Sequence, residues 1–350
     1  MSADLSLVLV TCRSSAVAPE AVASFRTEVA ELGVSGEVVI VDHSEDDGEQ
    51  ARLRHLAPDR LLVRPNRGYA AGVNAGVAAA NAPTVLVGNP DITFHQGSVA
   101  ALLDALDKGW DVIGPQFVLA GFLFPPADPQ TPAEEIRRFL AARWHPAWSR
   151  HFCRELARWR GVWDAQTPVG VPVLSGALLG FRRSTFDRVG PWDEGYFLYF
   201  EETDWLRRAA CSGLRAAVVP RAIVAHQWAH VANPARFVDV FEASRRRFLG
   251  KHFGVWGGLA AALPPPGRRV KLPLLPDGGL ALADGDVLWL LSPSLLGFPA
   301  AGRQSGGSPP VEAMEAFLAQ HGRAQMLSLR AVDPRTGRLL GAWRWEPEER

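Results

Sequence analysis

Residues 83–91 read PTVLVGNPD, an apolar run that ends in asparagine, proline and aspartate. A short apolar run bounded by turn residues is typical of a fully buried strand. Pro90 has no N–H to donate to a neighbouring strand, so the strand is expected to end there, with Asp91 just beyond it. Packing explains an aspartate at this place poorly. A divalent cation explains it better, because hard cations bind carboxylate and phosphate oxygens together.

Similar apolar runs and helix-like segments alternate along most of the chain. The other strands that the pattern predicts are LSLVLVT (5–11), EVVIVD (37–42), 60–64, 171–183 and 216–226. The predicted helices are 19–32, 70–80, 134–163, 202–211 and 237–252. Continuous apolar strands separated by helices predict an α/β fold with a mostly parallel central sheet covered on both faces. Ligands of such sheets bind beyond the carboxyl ends of the strands, where Asp91 lies.

The composition limits the class of protein. The 350 residues include 37 Lys and Arg against 37 Asp and Glu, and this balance argues against a nucleic-acid partner. The three cysteines lie far apart, which favours neither a zinc site nor a disulfide framework and fits a reducing cytoplasm. The first residues lack a basic signal-peptide region, and no run approaches the roughly 18 apolar residues of a membrane span. A soluble, cytoplasmic protein is expected.

The pattern also predicts how the chain is divided. Residues 1–262 form the main unit, with a helical insert at about 133–165. Residues 263–269 read LPPPGRR and form a linker, and 270–350 form a small C-terminal α+β unit whose role the sequence does not reveal. The insert carries seven arginines and several tryptophans. Two interpretations stay open: a solvated basic helix with a core-facing Trp side, and a helix that lies on the inner face of an anionic membrane.

Two further stretches follow predicted strands. Asp42 ends EVVIVD, where its carboxylate could accept hydrogen bonds from a nucleobase or a ribose, although a solvated turn fits equally well. NRGYAAGVNAG (66–76) places three glycines and two asparagines around a helix start, so its backbone could approach a phosphate. Tight packing of the helix on a strand explains these small residues as well. The stretch matches neither GxGxxG nor a P-loop.

The stretch YFLYFEETDW (196–205) sets three carboxylates directly after a run of aromatic residues. One interpretation is an acidic first helical turn, which the helix dipole favours by a few tenths to about 1 kcal/mol. The other is a set of catalytic carboxylates at the edge of a pocket with aromatic walls. His226 ends the predicted strand 216–226 and is either a strand-end histidine or a metal ligand.

In this order, the motifs resemble family 2 glycosyltransferases, most closely the bacterial rhamnosyltransferase-like branch. The carrying stretches are NRGYAAGVNAG (66–76), NPD (89–91) in place of a DxD metal motif, SGALLGFRR (175–183), the block 190–207, and His226. The resemblance covers residues 5 to about 253. It implies the three-layer, GT-A type fold of nucleotide-diphospho-sugar transferases.

The resemblance also implies an activity and roles for residues. It implies an inverting, metal-dependent glycosyltransferase of the hexosyltransferase class, acting in cell-envelope polysaccharide synthesis, with a dTDP- or UDP-sugar as donor. Rhamnose is the branch's commonest sugar, and the acceptor is a saccharide or a lipid-linked saccharide. Asp91 and His226 would bind Mg²⁺ or Mn²⁺, and Glu202 would be the base, with Glu201 and Asp204 beside the acceptor. The nucleotide-sugar contacts would be Thr11, Asp42, Asn66, Gly68, Tyr69, Asn74 and Asn89.

One residue departs from the branch's pattern. The family has aspartate where this chain has Glu202, and a glutamate reaches one methylene, about 1.5 Å, further; misplacements of that size can affect rate. A catalytically weak protein that binds a nucleotide sugar on the same fold is therefore the alternative. A dinucleotide oxidoreductase is disfavoured, because no GxGxxG follows an early strand.

Overall fold

The computed structural model describes residues 3–227, 234–264, 270–276, 282, 285–321 and 326–346. The strands are β1 (Leu5–Thr11), β2 (Gly36–Asp42), β3 (Arg60–Val63), β4 (Thr84–Gly88), β5 (Ile92–Phe94), β6 (Val112–Leu119), β7 (Phe122–Leu123), β8 (Val169–Gly170), β9 (Leu178–Arg182), β10 (Ala216–His226), β11 (Val287–Ser292), β12 (Ala301–Ser305), β13 (Leu327–Val332) and β14 (Leu339–Trp345). The helices are α1 (Ala18–Leu32), α2 (Asp47–Arg54), α3 (Tyr69–Ala79), α4 (Ser98–Asp107), α5 (Pro132–Ala141), α6 (His145–Trp163), α7 (Arg183–Val189), α8 (Glu201–Cys211), α9 (Pro234–Ala261) and α10 (Val311–His321).

The strands form one mixed sheet. β3, β2, β1 and β4 are parallel neighbours, as predicted, but β9 lies antiparallel between β4 and β6, and β10 runs parallel to β6. The prediction of an α/β fold is confirmed. The strand predicted over 171–183 is wrong in its first half, because the backbone turns at 175–177, where Ala177 N donates to Ser175 Oγ.

The buried strands carry side chains on both faces, which makes the fold three layers thick. Along β1, Leu7 and Leu9 pack against α1 and its Phe25, whereas Val8 and Val10 pack with the cluster that contains α3. Successive side chains of a strand point to opposite faces, so a strand covered on both sides must be apolar throughout. Because β1, β2 and β4 run parallel, their carboxyl ends lie at one edge of the sheet.

The C-terminal strands continue this sheet. β11 to β14 are antiparallel to one another, and β12 joins β7 through Gly302 and Leu123. The insert covers the junction, since Trp159 of α6 is fully buried in a cluster with Leu288 and Leu290 of β11. An α+β unit after residue 270 is thus present. The predicted linker falls mostly outside the described residues, and the domain limits remain a prediction.

The insert is held by ion pairs. Five of its seven arginines have a carboxylate partner: Arg137 with Glu134, Arg138 with Glu135, Arg154 with Glu134 and Glu155, Arg158 with Glu155 and Asp128, and Arg160 with Asp164. The basic character read from the sequence is therefore largely neutralised within the fold. Among the described helices, none is long and apolar enough to cross a bilayer.

Candidate active site

The ends of β1 and β2 place Thr11 and Asp42 side by side as register partners. Both are buried, and the Thr11 hydroxyl lies 3.5 Å from Asp42 Oδ1. Asp42 also accepts hydrogen bonds from Ser44, at 3.0 Å from its N–H and 2.7 Å from its hydroxyl. Such hydrogen bonds from a residue two positions later are typical of a turn, which was the other interpretation of Asp42 beside ligand binding. The structure brings the two residues together, and a nucleoside contact remains a prediction.

The loop before α3 is in contact with the aromatic run. Gly68 has a φ of +99°, and a Cβ there would lie 2.5 Å from the carbonyl oxygen of Phe197. Tyr69 N donates to the same oxygen at 2.9 Å. The side chain of Asn66 folds back to accept from Gly68 N at 3.1 Å. Gly68 is therefore needed for the approach of the chain itself, and the loop and the aromatic run form one surface.

The small residues inside α3 serve packing. A Cβ at Gly76 would lie 2.2 Å from Val8 Cγ1, and one at Gly72 would lie 2.5 Å from Val10 Cγ1. Asn74 uses its amide to hold Trp192: its Oδ1 accepts from Trp192 N at 2.9 Å, and its Nδ2 donates to Trp192 O at 3.0 Å. These contacts give Asn74 a structural role, and the predicted contact with the donor sugar remains untested.

The predicted metal ligands meet at the end of β4. Asp91 Oδ1 lies 3.2 Å from His226 Nε2, and both side chains are buried. The Asn89 amide nitrogen lies 3.3 Å from the same His226 atom. β5 and β10 set this arrangement, since Ile92 pairs with His226 and Gln227 N donates to the Asp91 carbonyl. Three polar side chains that were chosen separately from the sequence thus converge.

The catalytic carboxylates predicted at α8 follow a strained backbone. Tyr199 and Phe200 have φ values of 68° and 69°, a conformation that costs non-glycine residues about 1–3 kcal/mol each. Glu201 is buried, and its Oε2 has no hydrogen-bond partner among the described residues. Burial, followed by repulsion from Glu202, raises the pKa of Glu201 well above its usual range. Burial likewise raises the pKa of Glu202 from 4.5 to about 7.

Asp204 faces a different group of residues. Its carboxylate accepts from His252 at 2.7 Å and from Arg208 at 3.0 Å, and it pairs with Lys251 at 2.6 Å. Burial by itself would raise its pKa, but the hydrogen bonds from Lys251, His252 and Arg208 lower it below the usual value. These contacts tie α8 to α9. The structure thus separates Asp204 from the two glutamates, and its predicted place beside the acceptor remains untested.

The aromatic run lies only partly at the surface. Tyr196 and Phe200 are buried against Phe248 and Leu249 of α9, whereas Phe197 is 42% exposed. The wall expected beside the carboxylates is therefore formed at most by part of the run. The buried members hold α9 against the start of α8.

The stretch 175–177 contacts both the predicted base and a neighbour of the predicted metal ligands, a role that the sequence did not reveal. The Tyr69 hydroxyl donates to Gly176 O at 3.1 Å, and Asn89 N donates to Ala177 O at 3.0 Å. A Cβ at Gly176 would lie 3.3 Å from Glu202 Cγ, so the Glu202 side chain lies directly on this glycine. Burial raises the pKa of Tyr69, and the charges of the two glutamates and Asp91 raise it further. The SGALL motif (175–179), which the sequence analysis used only for the family resemblance, was the feature that could have pointed to Gly176.

A second group of potential metal ligands lies in the insert. Ligand atoms of Glu134, His151 and Glu155 lie within 4.8 Å of one another. Arg154 Nη2 lies between them, at 2.7 Å from Glu134 and 3.0 Å from each of the others. Since the guanidinium already supplies a positive charge, Asp91 and His226 are the better candidates for a catalytic metal.

Comparison with known proteins gives the family. Residues 6–190 match the family model described as glycosyl transferase family 2, which is more than half of the chain. The chain belongs to glycosyl transferase family 2. The resemblance and the nucleotide-sugar transferase fold expected from the sequence are thereby confirmed. The enzyme class of the chain is a transferase.

Relatives of this glycosyltransferase include a curated rhamnosyltransferase. Over 239 residues, 63% of this chain and 76% of the relative, it is 34% identical to N-acetylglucosaminyl-diphospho-decaprenol L-rhamnosyltransferase of Mycobacterium tuberculosis. An uncharacterized glycosyltransferase of Mycobacterium bovis is 36% identical over 89 residues, 25% of this chain and 40% of the relative. The similarity to the rhamnosyltransferase agrees with the branch identified from the motifs.

Solved structures similar to this glycosyltransferase are more distant. GalNAc-T7 with UDP, GalNAc and Mn²⁺ has a TM-score of 0.46 and 15% identity, over 64% of this chain and 44% of its own. The mannosyltransferase PcManGT from Pyrobaculum calidifontis, with GDP-Man and Mn²⁺, has a TM-score of 0.44 and 15% identity, over 75% and 74%.

Proposed function

We propose that this chain is an inverting glycosyltransferase that moves a sugar from a nucleotide-diphospho-sugar to a hydroxyl of a lipid-linked saccharide. The observation that supports the proposal most is the meeting at residues 175–177. There the backbone contacts Glu202 and Tyr69 on one side and Asn89, next to Asp91 and His226, on the other. The proposed base and the proposed metal ligands would thus lie on either side of the same three-residue stretch, as a transfer between two bound sugars requires.

Asp91 and His226 would hold a divalent cation. Two adjacent ligands of an octahedral ion at about 2.1 Å lie about 3 Å apart, and 3.2 Å separates Asp91 Oδ1 from His226 Nε2. One carboxylate and one imidazole leave most coordination positions for phosphate oxygens and water, which suits Mg²⁺ or Mn²⁺. The cation, when bound, supplies a Lewis acid that stabilises charge on the leaving nucleotide.

Glu202 would remove the proton from the acceptor hydroxyl. As the proton moves to the carboxylate, the hydroxyl oxygen bonds to the anomeric carbon. The bond from that carbon to the diphosphate breaks, and the nucleotide leaves with the electron pair. Attack opposite to the leaving group inverts the anomeric configuration. A general base works best when its pKa is near the working pH, and that of Glu202 is raised to about 7.

The donor and acceptor follow from the relative. Its printed name describes an L-rhamnosyltransferase that acts on N-acetylglucosaminyl-diphospho-decaprenol. By similarity over 239 residues we assign this chain a rhamnosyl donor, carried on dTDP or UDP, and a polyprenyl-diphosphate-linked acceptor sugar. Thr11, Asp42, Asn66, Gly68, Tyr69 and Asn89 would surround the donor. The reaction would take place at the cytoplasmic face of the membrane, in agreement with the three free cysteines.

A transfer assay tests the proposal. We expect wild type with Mn²⁺, dTDP-rhamnose and a prenyl-diphosphate-linked N-acetylglucosamine to give a disaccharide whose new bond has the inverted configuration by NMR. Glu202→Gln should lower the rate by about 10²–10⁴-fold, while Glu312→Gln on α10 should not. Binding of the donor without turnover by wild type would instead support the weakly catalytic alternative. Retention of configuration would contradict the role of Glu202.

A further inference from the structure

Helix α9 folds back on itself at Gly254. The backbone angles of this residue, φ 56° and ψ −133°, lie outside the helical region. Arg245 Nη2 donates to the carbonyl of Ala261 at 3.1 Å. In a straight helix, 16 residues at 1.5 Å each would hold these two about 24 Å apart. The helix predicted to end near residue 252 is thus followed by a second short helix, and the turn between them forms a corner.

This corner, defined as residues Val255–Leu259, shows its large apolar side chains to solvent. Val255 is 78% exposed, Trp256 73% and Leu259 59%. The side that faces the protein is made of small residues, since a Cβ at Gly257 would lie 1.9 Å from Leu249 O, and Ala260 is buried. A surface helix normally buries its large apolar residues, so the reversed arrangement marks a binding surface.

The stretch of sequence that contains the corner is rich in cations. Between residues 243 and 276 the sequence has seven Lys or Arg and no Asp or Glu, although the whole chain has no net charge. Arg245, Arg247 and Lys251 pair with carboxylates of neighbouring elements, and Arg246, Arg247, Lys251 and Lys271 are exposed. Tryptophan and leucine beside exposed cations is the composition of a segment that lies in the interface of an anionic bilayer.

The helix segments that flank the corner pack against α8, which carries the proposed base Glu202. Ala261, at the end of the folded-back helix, packs in one cluster with Phe248 and with Phe200, which directly precedes α8. Arg207 of α8 also lies over the ring of Phe253, 4.3 Å from its centroid. A surface on which the corner rests would therefore lie next to the element that carries Glu202.

We propose that the α9 corner docks on an anionic lipid bilayer, with Val255, Trp256 and Leu259 in the interface and the exposed cations of the stretch 243–276 on the headgroups. The insert, which the sequence offered for this role, has five of its seven arginines neutralised by carboxylates. Docking would present Glu202 to a lipid-linked sugar, and this purpose rests on the proposed function. The docking itself does not.

Vesicle flotation tests this surface. We expect wild type to float with vesicles of phosphatidylcholine and phosphatidylglycerol, more weakly with phosphatidylcholine alone and more weakly at high salt. The double variant Trp256→Ser, Leu259→Ser should lose about tenfold or more of its partitioning. The matched control Trp144→Ser, which removes a 62% exposed tryptophan of the insert, should float like wild type.

Several results would overturn the docking. One is a wild type that does not float, and another is a loss in Trp144→Ser that equals the loss in the double variant. A third is a wild-type dimer in light scattering that the double variant abolishes, since the corner would then bind a second copy. An unchanged circular dichroism spectrum shows that a variant is folded. Flotation without sugar transfer would overturn the proposed function alone, and transfer to a water-soluble acceptor without flotation would overturn the docking alone.

Discussion

The raised pKa of Glu202 leads to a prediction about rate. With a pKa of about 7, only about 1% of Glu202 is ionised at pH 5, whereas a carboxyl group at 4.5 would be mostly ionised there. Since a base acts in its ionised form, we expect kcat/KM to fall about tenfold per pH unit below pH 7. The measurement is the rate of rhamnosyl transfer between pH 5 and 9 at fixed Mn²⁺.

The same group makes a prediction about stability that does not depend on activity. The folded-state pKa lies above the unfolded value of 4.5, so the folded chain binds more protons than the unfolded chain between about pH 4.5 and 7. The free energy of unfolding therefore falls as the pH rises through this window. The rise of 2.5 pKa units at about 1.4 kcal/mol each sets an upper bound of about 3.5 kcal/mol on this loss of stability.

Glu202→Gln removes the titrating group and tests this sign. Compared with wild type, the variant should gain stability at pH 8 and gain little at pH 4, in urea melts followed by fluorescence. Glu312→Gln, an exposed change on α10, should show no such difference between the two pH values. A pH-independent effect of Glu202→Gln, or a rate profile that is flat from pH 5 to 8, would refute a half-buried Glu202 that titrates near neutral pH.

Three further predictions follow from the contacts. Gly176→Ala should displace Glu202 by a few tenths of an ångström, which lowers kcat in steady-state kinetics but keeps donor binding in calorimetry. The control Gly161→Ala, which has open space around its Cβ, should change neither kcat nor donor binding. Gly76→Ala should destabilise the fold by about 1–3 kcal/mol in urea melts, because its Cβ would overlap a valine of β1. Alkylation of Cys12 should slow when the donor is bound, as measured by mass spectrometry. The reaction needs alkaline pH, because burial raises the pKa of this thiol. Equal rates with and without donor would place the nucleoside elsewhere.

Much of the fold was predictable because it depends on local pattern. The apolar run 5–11 and the stretch 83–91 became the buried strands β1 and β4, since a strand covered on both faces must be apolar throughout. The antiparallel insertion of β9 was not predictable, because strand order depends on contacts between distant segments. The fold-back at Gly254 also escaped prediction, since isolated glycines occur inside many helices.

The candidate site was predictable to a similar extent. Strand ends identified Asp91 and His226, and the structure brings them to 3.2 Å. The contacts of Asn74 with Trp192 and of Asp204 with His252 could not be predicted, because these partners come from segments more than 40 residues away. The same is true of Gly176, which matters through its backbone and the space it leaves for Glu202.

The most direct test of the account is calorimetric binding of dTDP-rhamnose to wild type, with and without Mn²⁺. We expect binding that requires the ion and that Asp91→Asn abolishes. The variant Glu155→Gln, which alters the group Glu134, His151 and Glu155 of the insert, should keep the ion-dependent binding. Circular dichroism shows whether this variant is folded. Binding that survives in Asp91→Asn but is lost in folded Glu155→Gln, or that is the same without the ion, would contradict a metal site at Asp91 and His226.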